Sequence, residues 1–483
     1  MSQKSIKKNA FYSVIRSFAS ICFPIISFPY ISRILNPDGI GKINFSNSFV
    51  DYFIMFAGLG ITSYAGREAA KIRENATELN KLSRELIIIN TLSTIISYIL
   101  LFIITFSVSK LTQYYLLITI CSSKILFETL GLNWLFIAEE DYGYITIRSI
   151  FFQFLSLICM FLFVHTEQDL FIYAIITVLS SVGSNIFNLF YARKYINVFE
   201  RTKIELKKHL APIFIFFGVS IAGRIYASID TLMLGFMLDD TATGIYTAAN
   251  KITFMIHKVI SAAIIVMMPK CSNLFAKGKI DEYKSLIKKG LEFSILLATP
   301  ASVGLMILTK PLILIFCGSQ YTAAFFPMKI LSFFILISTI ENILYSNILI
   351  PIKKEKAIFL AQIIGLLTNI IINCLLIPIL NVTGAVIGTI ISEIITLLIM
   401  IYFSNNYFPV KKFCLLICKY SLFTFIMAIP TYLLSIYLKG NISQLFVCTI
   451  TGCFVYLLCL IVTKNELLIQ TKEFLVKKIK KEN

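Results

Sequence analysis

Nine lysines and arginines lie within or at the rims of long apolar stretches: Arg16, Arg33, Lys124, Arg148, Arg224, Lys251, Lys258, Lys329 and Lys419. A cation at mid-bilayer depth costs about 2.5–3.5 kcal/mol on insertion scales, so it faces a protein interior or a wet cavity rather than lipid. Several together suit the handling of something negative inside a membrane. Lys meets a phosphate as a point charge, and Arg grips one through a bidentate fork. Four carboxylates share the apolar surroundings: Asp51, Glu128, Asp230 and Glu341. Helical spacing sorts these groups into stripes. Thr247, Lys251, Phe254 and Lys258 share one face; Asn44, Asn47 and Asp51 share another; Lys124 and Glu128 are one turn apart. Two arrangements satisfy the pattern. One is a water-filled cavity whose substrate-binding cations are Arg16, Arg224, Lys251, Lys258 and Lys124. The other is internal ion pairing, of Lys124 with Glu128 and of Lys251 with Asp51 or Asp230. Arg224 and Lys258 have no carboxylate close by in the sequence and favour the cavity. Arg33, Arg148, Lys329 and Lys419 sit near helix ends, where a long side chain snorkels to the interface.

The elements that must position these residues are membrane helices. Of 483 residues, 57% are hydrophobic and only 14% are charged, whereas a soluble domain carries about 25% charge. Mean hydropathy is +0.82. Crossing the hydrocarbon core takes about 20 mostly apolar residues. Fourteen segments qualify: 10–35, 44–65, 85–108, 114–137, 145–164, 170–192, 210–237, 244–268, 289–309, 325–350, 357–376, 382–403, 414–438 and 442–462. The stretch 310–324 is too short to span and is expected at an interface. The basic N-terminus runs into a first segment too long for a signal peptide, which reads as a retained helix. The expected fold class is therefore all-α and polytopic, with 14 transmembrane helices.

The net charge of +18 would by itself suggest nucleic acid, but its placement says otherwise. With a cytoplasmic N-terminus, thirty-one Lys and Arg fall in segments on the inner side and four (Lys42, Lys110, Lys310 and Lys439) on the outer. That is the positive-inside bias, and it places both termini in the cytoplasm of a cell-membrane protein. Basic amphipathic pieces such as KSLIKKGLEF and the tail are plain topogenic charge or interfacial helices beside anionic lipid.

Faint internal symmetry points to two parallel repeats. Lys7-Lys8 and Lys207-Lys208 precede helices 1 and 7, Gly41 matches Gly244, and Glu128 matches Glu341, at offsets of 200, 203 and 213. The implied organisation is an N-lobe of helices 1–6 (residues 1–200), a C-lobe of helices 7–12 (201–403), helices 13–14 (404–463) and a basic cytoplasmic tail (464–483). Transporter sites tend to lie between such repeats.

Other motifs exclude chemistry. The eleven cysteines show no metal-ligand spacing, and there is no phosphate-binding loop, nucleophile elbow or zinc-protease motif. No enzyme activity, metal or cofactor is expected. His257, beside Lys258, is either structural or a proton carrier. Pro24 and Pro29 bend helix 1, for gating or for packing.

Three stretches resemble a known family. KKNAFYSVIRSF…FPYISRILNPDGIGKINFSNSF (7–49), LGLNWLFIAEEDYGYITIRSI (130–150) and IDTLMLGFMLDDTATGIYTAANKI (229–252) resemble the Wzx-type polysaccharide flippases of the multidrug/oligosaccharidyl-lipid/polysaccharide exporter superfamily. The resemblance implies translocation of undecaprenyl-diphosphate-linked oligosaccharide repeat units across the bilayer, by alternating access of two six-helix lobes around a cationic cavity. It implies coupling to H+ or Na+, with Asp51, Asp230, Glu128 and Glu341 as candidates. Other polysaccharide-assembly membrane proteins are the expected partners, and nucleic acid is not. A lipid II flippase, a cation-coupled multidrug exporter of the same superfamily and a membrane polysaccharide polymerase are the alternatives. The short outer loops weigh against the polymerase, and the excess of cations weighs against the multidrug exporter.

Overall fold

A computed structural model describes residues 6–197, 204–404, 406–465 and 467; most of the basic tail predicted at 464–483 lies outside the described residues. Among them there are only helices and turns, in two compact units, Met1–Gly244 and Ile245–Asn483. The first holds α1 (Ile6–Gly58), α2 (Ile61–Ile72), α3 (Ala76–Ser107), α4 (Ser109–Thr112), α5 (Tyr115–Leu130), α6 (Asn133–Ala138), α7 (Tyr142–Phe163), α8 (Leu170–Val182), α9 (Ile186–Ala192) and α10 (Lys207–Met237). Then come α11 (Asp240–Ile265), α12 (Met268–Ala276), α13 (Ile280–Ile307), α14 (Thr309–Phe316), α15 (Phe325–Ile343), α16 (Glu355–Leu380), α17 (Val382–Ser404), α18 (Val410–Tyr437) and α19 (Asn441–Val462). Eleven helical stretches among the described residues are long and apolar enough to cross a membrane. A helix satisfies its own backbone hydrogen bonds, as hydrocarbon requires. The chain is a multi-pass membrane protein.

The helices are apolar outside and polar inside. On α3 the exposed residues are Leu92, Ile95, Ile96, Ile99 and Ile103, while Ser93, Thr94, Ser97 and Thr105 are buried. Apolar burial gains nothing against lipid, so association rests on close packing and interhelical hydrogen bonds. On α17 the small residues Gly384, Gly388, Ser392 and Thr396 repeat every fourth position and are all buried. That row lets α16 approach closely. A Cβ at Gly388 would overlap Asn373 Oδ1, and one at Gly365 would overlap Thr396 Oγ1.

Where helices break, the sequence shows why. The helix α1 kinks at Asn36 (φ 58°, ψ 175°), directly before Pro37, and a residue before proline is pushed out of the helical region. Pro37 then opens the second arm, where its missing N–H has no consequence. At the start of α11, Asp239 Oδ1 accepts from the N–H of Ala242 at 2.7 Å, an N-cap. The two starts cross each other. A Cβ on Gly41 would run into the carbonyl of Asp240, and one on Gly244 into the carbonyl of Pro37. Pro37 and Asp240, like Gly41 and Gly244, stand 203 positions apart. The crossing therefore pairs equivalent positions of the faint repeat reciprocally, and only glycine permits it.

The stretch 114–137 departs from its sequence expectation. It is not one continuous helix: α5 ends at Gly131 and α6 begins after Leu132, which is left-handed (φ 43°). A matching break separates α1 from α2 at Leu59 (φ 44°) and Gly60 (φ 73°). A buried polar cluster ties down the neighbouring end of α10. Glu85 of α3, 1% exposed, accepts from His209 Nε2 at 2.8 Å and from the Glu205 N–H at 2.8 Å, with Lys208 Nζ 3.2 Å away. Tyr64 of α2 meets His209 Nδ1 at 2.7 Å.

Candidate functional site

Within the first unit the fold gathers charges from four helices, α1 (through both of its arms), α5, α7 and α10. The second arm of α1 carries Asn47 and Asp51 one turn apart, and α5 carries Lys124 and Glu128 likewise; α1 packs against α5. Lys124 Nζ donates to Asn47 Oδ1 at 2.6 Å. The expected same-helix ion pair of Lys124 with Glu128 is not formed. The interhelical amide captures the ammonium, while the Glu128 carboxylate faces other cations, first Arg224 of α10, then Arg148 of α7 and Arg16 of α1. Asp51 feels Lys124 and Arg224. Arg16, Arg224, Asp51 and Glu128 are all exposed, although they lie on long apolar helices. Four cations thus act on two carboxylates, an excess of positive charge within this unit.

Arg148 is the member that sequence reasoning missed. It does not snorkel. Its Nη2 donates to Asn133 Oδ1 at 3.2 Å and to Asn185 Oδ1 at 3.3 Å, and its guanidinium lies 5.3 Å from the centre of the Tyr144 ring. Its Nε and Nη1 are buried without a partner. Both asparagines sit at helix interruptions, Asn133 where α6 starts and Asn185 in the turn before α9, and Asn188 donates to the Gly131 carbonyl. The signal in the sequence was the pair of asparagines beside glycines (GLN at 131–133, GSN at 183–185), which marks helix breaks with spare amides.

Asp230 lies in α10, 7% exposed and engaged by neighbouring groups. It is near Tyr52 of α1, whose hydroxyl donates to the Ile225 carbonyl at 3.5 Å. In the second unit, α11 presents Lys251, half-buried and engaged, and Lys258, exposed. Between them Phe254 stacks on Phe334 of α15 at 4.6 Å, and His257 meets Ser261 Oγ at 2.9 Å. Glu341 of α15 meets Glu393 of α17, which is buried. A π-helical turn, Leu344–Leu349, follows directly, a feature common at functional sites. Glu393 was not singled out from the sequence; a lone acid in the apolar span 382–403 was its only signal.

The fold is MATE-like. The chain is similar to a crystal structure of a MATE protein in complex with MaL6 (TM-score 0.55, 13% identity, 83% of this chain and 94% of that one). It is also similar to a transporter of the MOP superfamily from Pyrococcus furiosus (TM-score 0.50, 14% identity, 82% and 91%). Residues 6–275 match the family of polysaccharide biosynthesis proteins, and the chain belongs to that family, in agreement with its Wzx-type resemblance. Among curated relatives, a "Putative O-antigen transporter" of Escherichia coli strain K12 is 22% identical over 405 residues, 83% of this chain and 97% of its own length. The "Probable low-salt glycan biosynthesis flippase Agl15" of Haloferax volcanii is 23% identical over 192 residues, 40% of each.

Proposed function

We propose that this protein is a flippase that carries undecaprenyl-diphosphate-linked oligosaccharide repeat units from the cytoplasmic to the outer leaflet, for O-antigen, capsule or exopolysaccharide assembly. The observation that carries the reading is the first unit's cluster of Arg16, Lys124, Arg148 and Arg224 around only Asp51 and Glu128. An excess of cations inside a membrane unit suits a diphosphate group, whose lipid tail stays in the bilayer. Lys251 and Lys258 of the second unit contribute further cations, and the headgroup crosses by alternating access through a cationic cavity. The relatives' names, an O-antigen transporter and a glycan flippase, support the same substrate class. Transport without enzymatic chemistry follows from that reading.

The topology belongs to the same proposal: fourteen crossings in two six-helix lobes plus two helices, with both termini cytoplasmic. Three crossings add to the eleven spanning-length stretches. Phe11–Ile72 is kinked at Asn36 into two arms, α5 with α6 makes one interrupted crossing, and α10 makes another. Coupling to H+ or Na+ would use carboxylates, and Asp51, Glu128, Asp230 and Glu341 remain the candidates, the last beside Glu393.

Deleting the gene and detecting lipid-linked repeat units by leaflet tests the function. Intact, unpolymerised units accumulate on the cytoplasmic side if the protein is a flippase; accumulation on the outer side would identify a polymerase instead. Arg224→Ala and Lys258→Ala abolish export at unchanged protein level, whereas Lys419→Ala, whose ammonium rests over the rings of Tyr420 and Phe423, is mild. Normal surface polysaccharide in both cavity variants would remove the cationic mechanism.

A further inference from the structure

The first unit contains a cavity that the charge cluster does not explain. It opens where two interrupted helices meet: the α1–α2 break at Leu59–Gly60 and the α5–α6 break at Gly131–Leu132. Asn90 of α3 completes the wall. The space open to the centres of water molecules is about 140 Å³, against roughly 10–15 Å³ needed to hold one water. There is room for a sugar ring with its hydroxyls. Only Arg224 and Glu128 bring charge to the lining; Thr62, Ser63, Asn90 and Asn133 bring neutral hydroxyls and amides, and Trp134 borders the cavity from the adjoining apolar cluster.

We infer that this cavity is a carbohydrate subsite, which takes the sugar attached to the diphosphate while the phosphates sit at Arg224. The inference rests on the flippase reading for the identity of the phosphate and on the cavity's own chemistry for the sugar. An acyl chain would leave the amides and hydroxyls unmatched. A bare anion offers no donor for Asn90 Oδ1, which is buried and accepts no hydrogen bond, and such an acceptor loses free energy until a donor meets it. A sugar hydroxyl both donates and accepts, as do Thr62 and Ser63 opposite it. The two breaks also fit. Left-handed leucines cost about 1–2 kcal/mol each, and interrupted membrane helices are where transporters place polar binding groups. Gly58 borders the same space, and a Cβ built on it meets nothing within 4 Å. The void can therefore be filled without displacing the backbone.

Trp134 is the only tryptophan of the chain, so tryptophan emission from the full-length protein in detergent micelles reports on the border of this cavity. The titrants are glucose 1-phosphate, galactose 1-phosphate and N-acetylglucosamine 1-phosphate, with inorganic phosphate as the reference. At least one sugar phosphate changes the emission saturably with a Kd tenfold or more below that of inorganic phosphate. Gly58→Leu, with its thermal midpoint unchanged, removes that preference, and Asn90→Leu weakens it. Sugar phosphates that bind no tighter than inorganic phosphate, or a preference that survives Gly58→Leu, would overturn the subsite. Arg224→Ala separates the two readings. If it leaves phosphate affinity intact, the diphosphate assignment fails and the sugar preference stands on its own result.

Discussion

Glu85→Ala is the substitution whose cost can be worked out most fully. The carboxylate is 1% exposed and accepts from three donors. His209, 3% exposed, loses its bond to the carboxylate, and the Glu205 N–H loses its acceptor. Hydrogen bonds to a charged group are worth about 1.5–3 kcal/mol each. Lys208 adds little, because its side chain is 45% exposed and it retains Glu205 at 3.3 Å. Two donors that count give about 3–6 kcal/mol, which agrees with the 3–5 kcal/mol typical of breaking a buried pair. That is a large share of the roughly 5–15 kcal/mol by which folded proteins are stable. Thermal unfolding of the detergent-purified protein is the assay, with Lys208→Ala, Tyr64→Phe and His209→Ala measured in parallel. Glu85→Ala lowers the midpoint by many degrees, His209→Ala nearly as far, Tyr64→Phe less, and Lys208→Ala hardly at all. A double-mutant cycle on Glu85 and His209 shows coupling above about 1 kcal/mol. Equal losses in Glu85→Ala and Lys208→Ala would refute the reasoning, because the exposed ion pair would then carry what is assigned here to the buried bonds.

Other perturbations follow the same logic. Gly41→Ala and Gly244→Ala each place a methyl against a carbonyl of the crossing start, so both lose folded protein on size-exclusion chromatography, whereas Gly66→Ala, with open space at its Cβ, does not. Gly388→Val costs several kcal/mol by forcing α16 from α17, read as a lower thermal midpoint. Arg148→Leu removes a guanidinium with two unpaired buried nitrogens; export of repeat units falls sharply, while stability drops by less than in Glu85→Ala, because relief of those unpaired nitrogens offsets part of the two bonds lost. The Glu205 carboxyl is held below the usual carboxylate range by its bond to Lys208 and then by Lys81. A depressed carboxyl adds stability above its unfolded value of about 4.3 and loses it as pH falls through the folded value. Glu205→Gln therefore melts below wild type at pH 7 and together with it in strong acid.

That the chain crosses the membrane many times as helices was legible, because a single apolar segment satisfies its own backbone in hydrocarbon only as a helix. The break before Pro37 was legible because proline constrains its predecessor. The α5–α6 break was not, since LGLNW has no proline and one glycine inside an apolar run. It takes the contacts of Asn185, Asn188 and Arg148 to hold the chain in that shape. The fate of Lys124 was hidden for a similar reason. Four residues along a helix, Glu128 was the obvious partner, but Asn47 lies 77 positions away, and only packing of α1 on α5 brings it within reach. Arg148 was misassigned from its distance to a helix end, which takes no account of the amides that neighbouring helices supply.

By itself, the sequence determined that this is a multi-pass helical membrane protein, which residues would be costly in a bilayer, and which family it resembles. These are properties of composition and local periodicity, and hydrocarbon enforces them segment by segment. The tertiary structure decided which of those costly residues meet. It set Arg148 against Asn133 and Asn185, Glu341 against Glu393, and two helix breaks around one polar cavity. Such meetings join positions tens of residues apart, and no local rule along the chain encodes them.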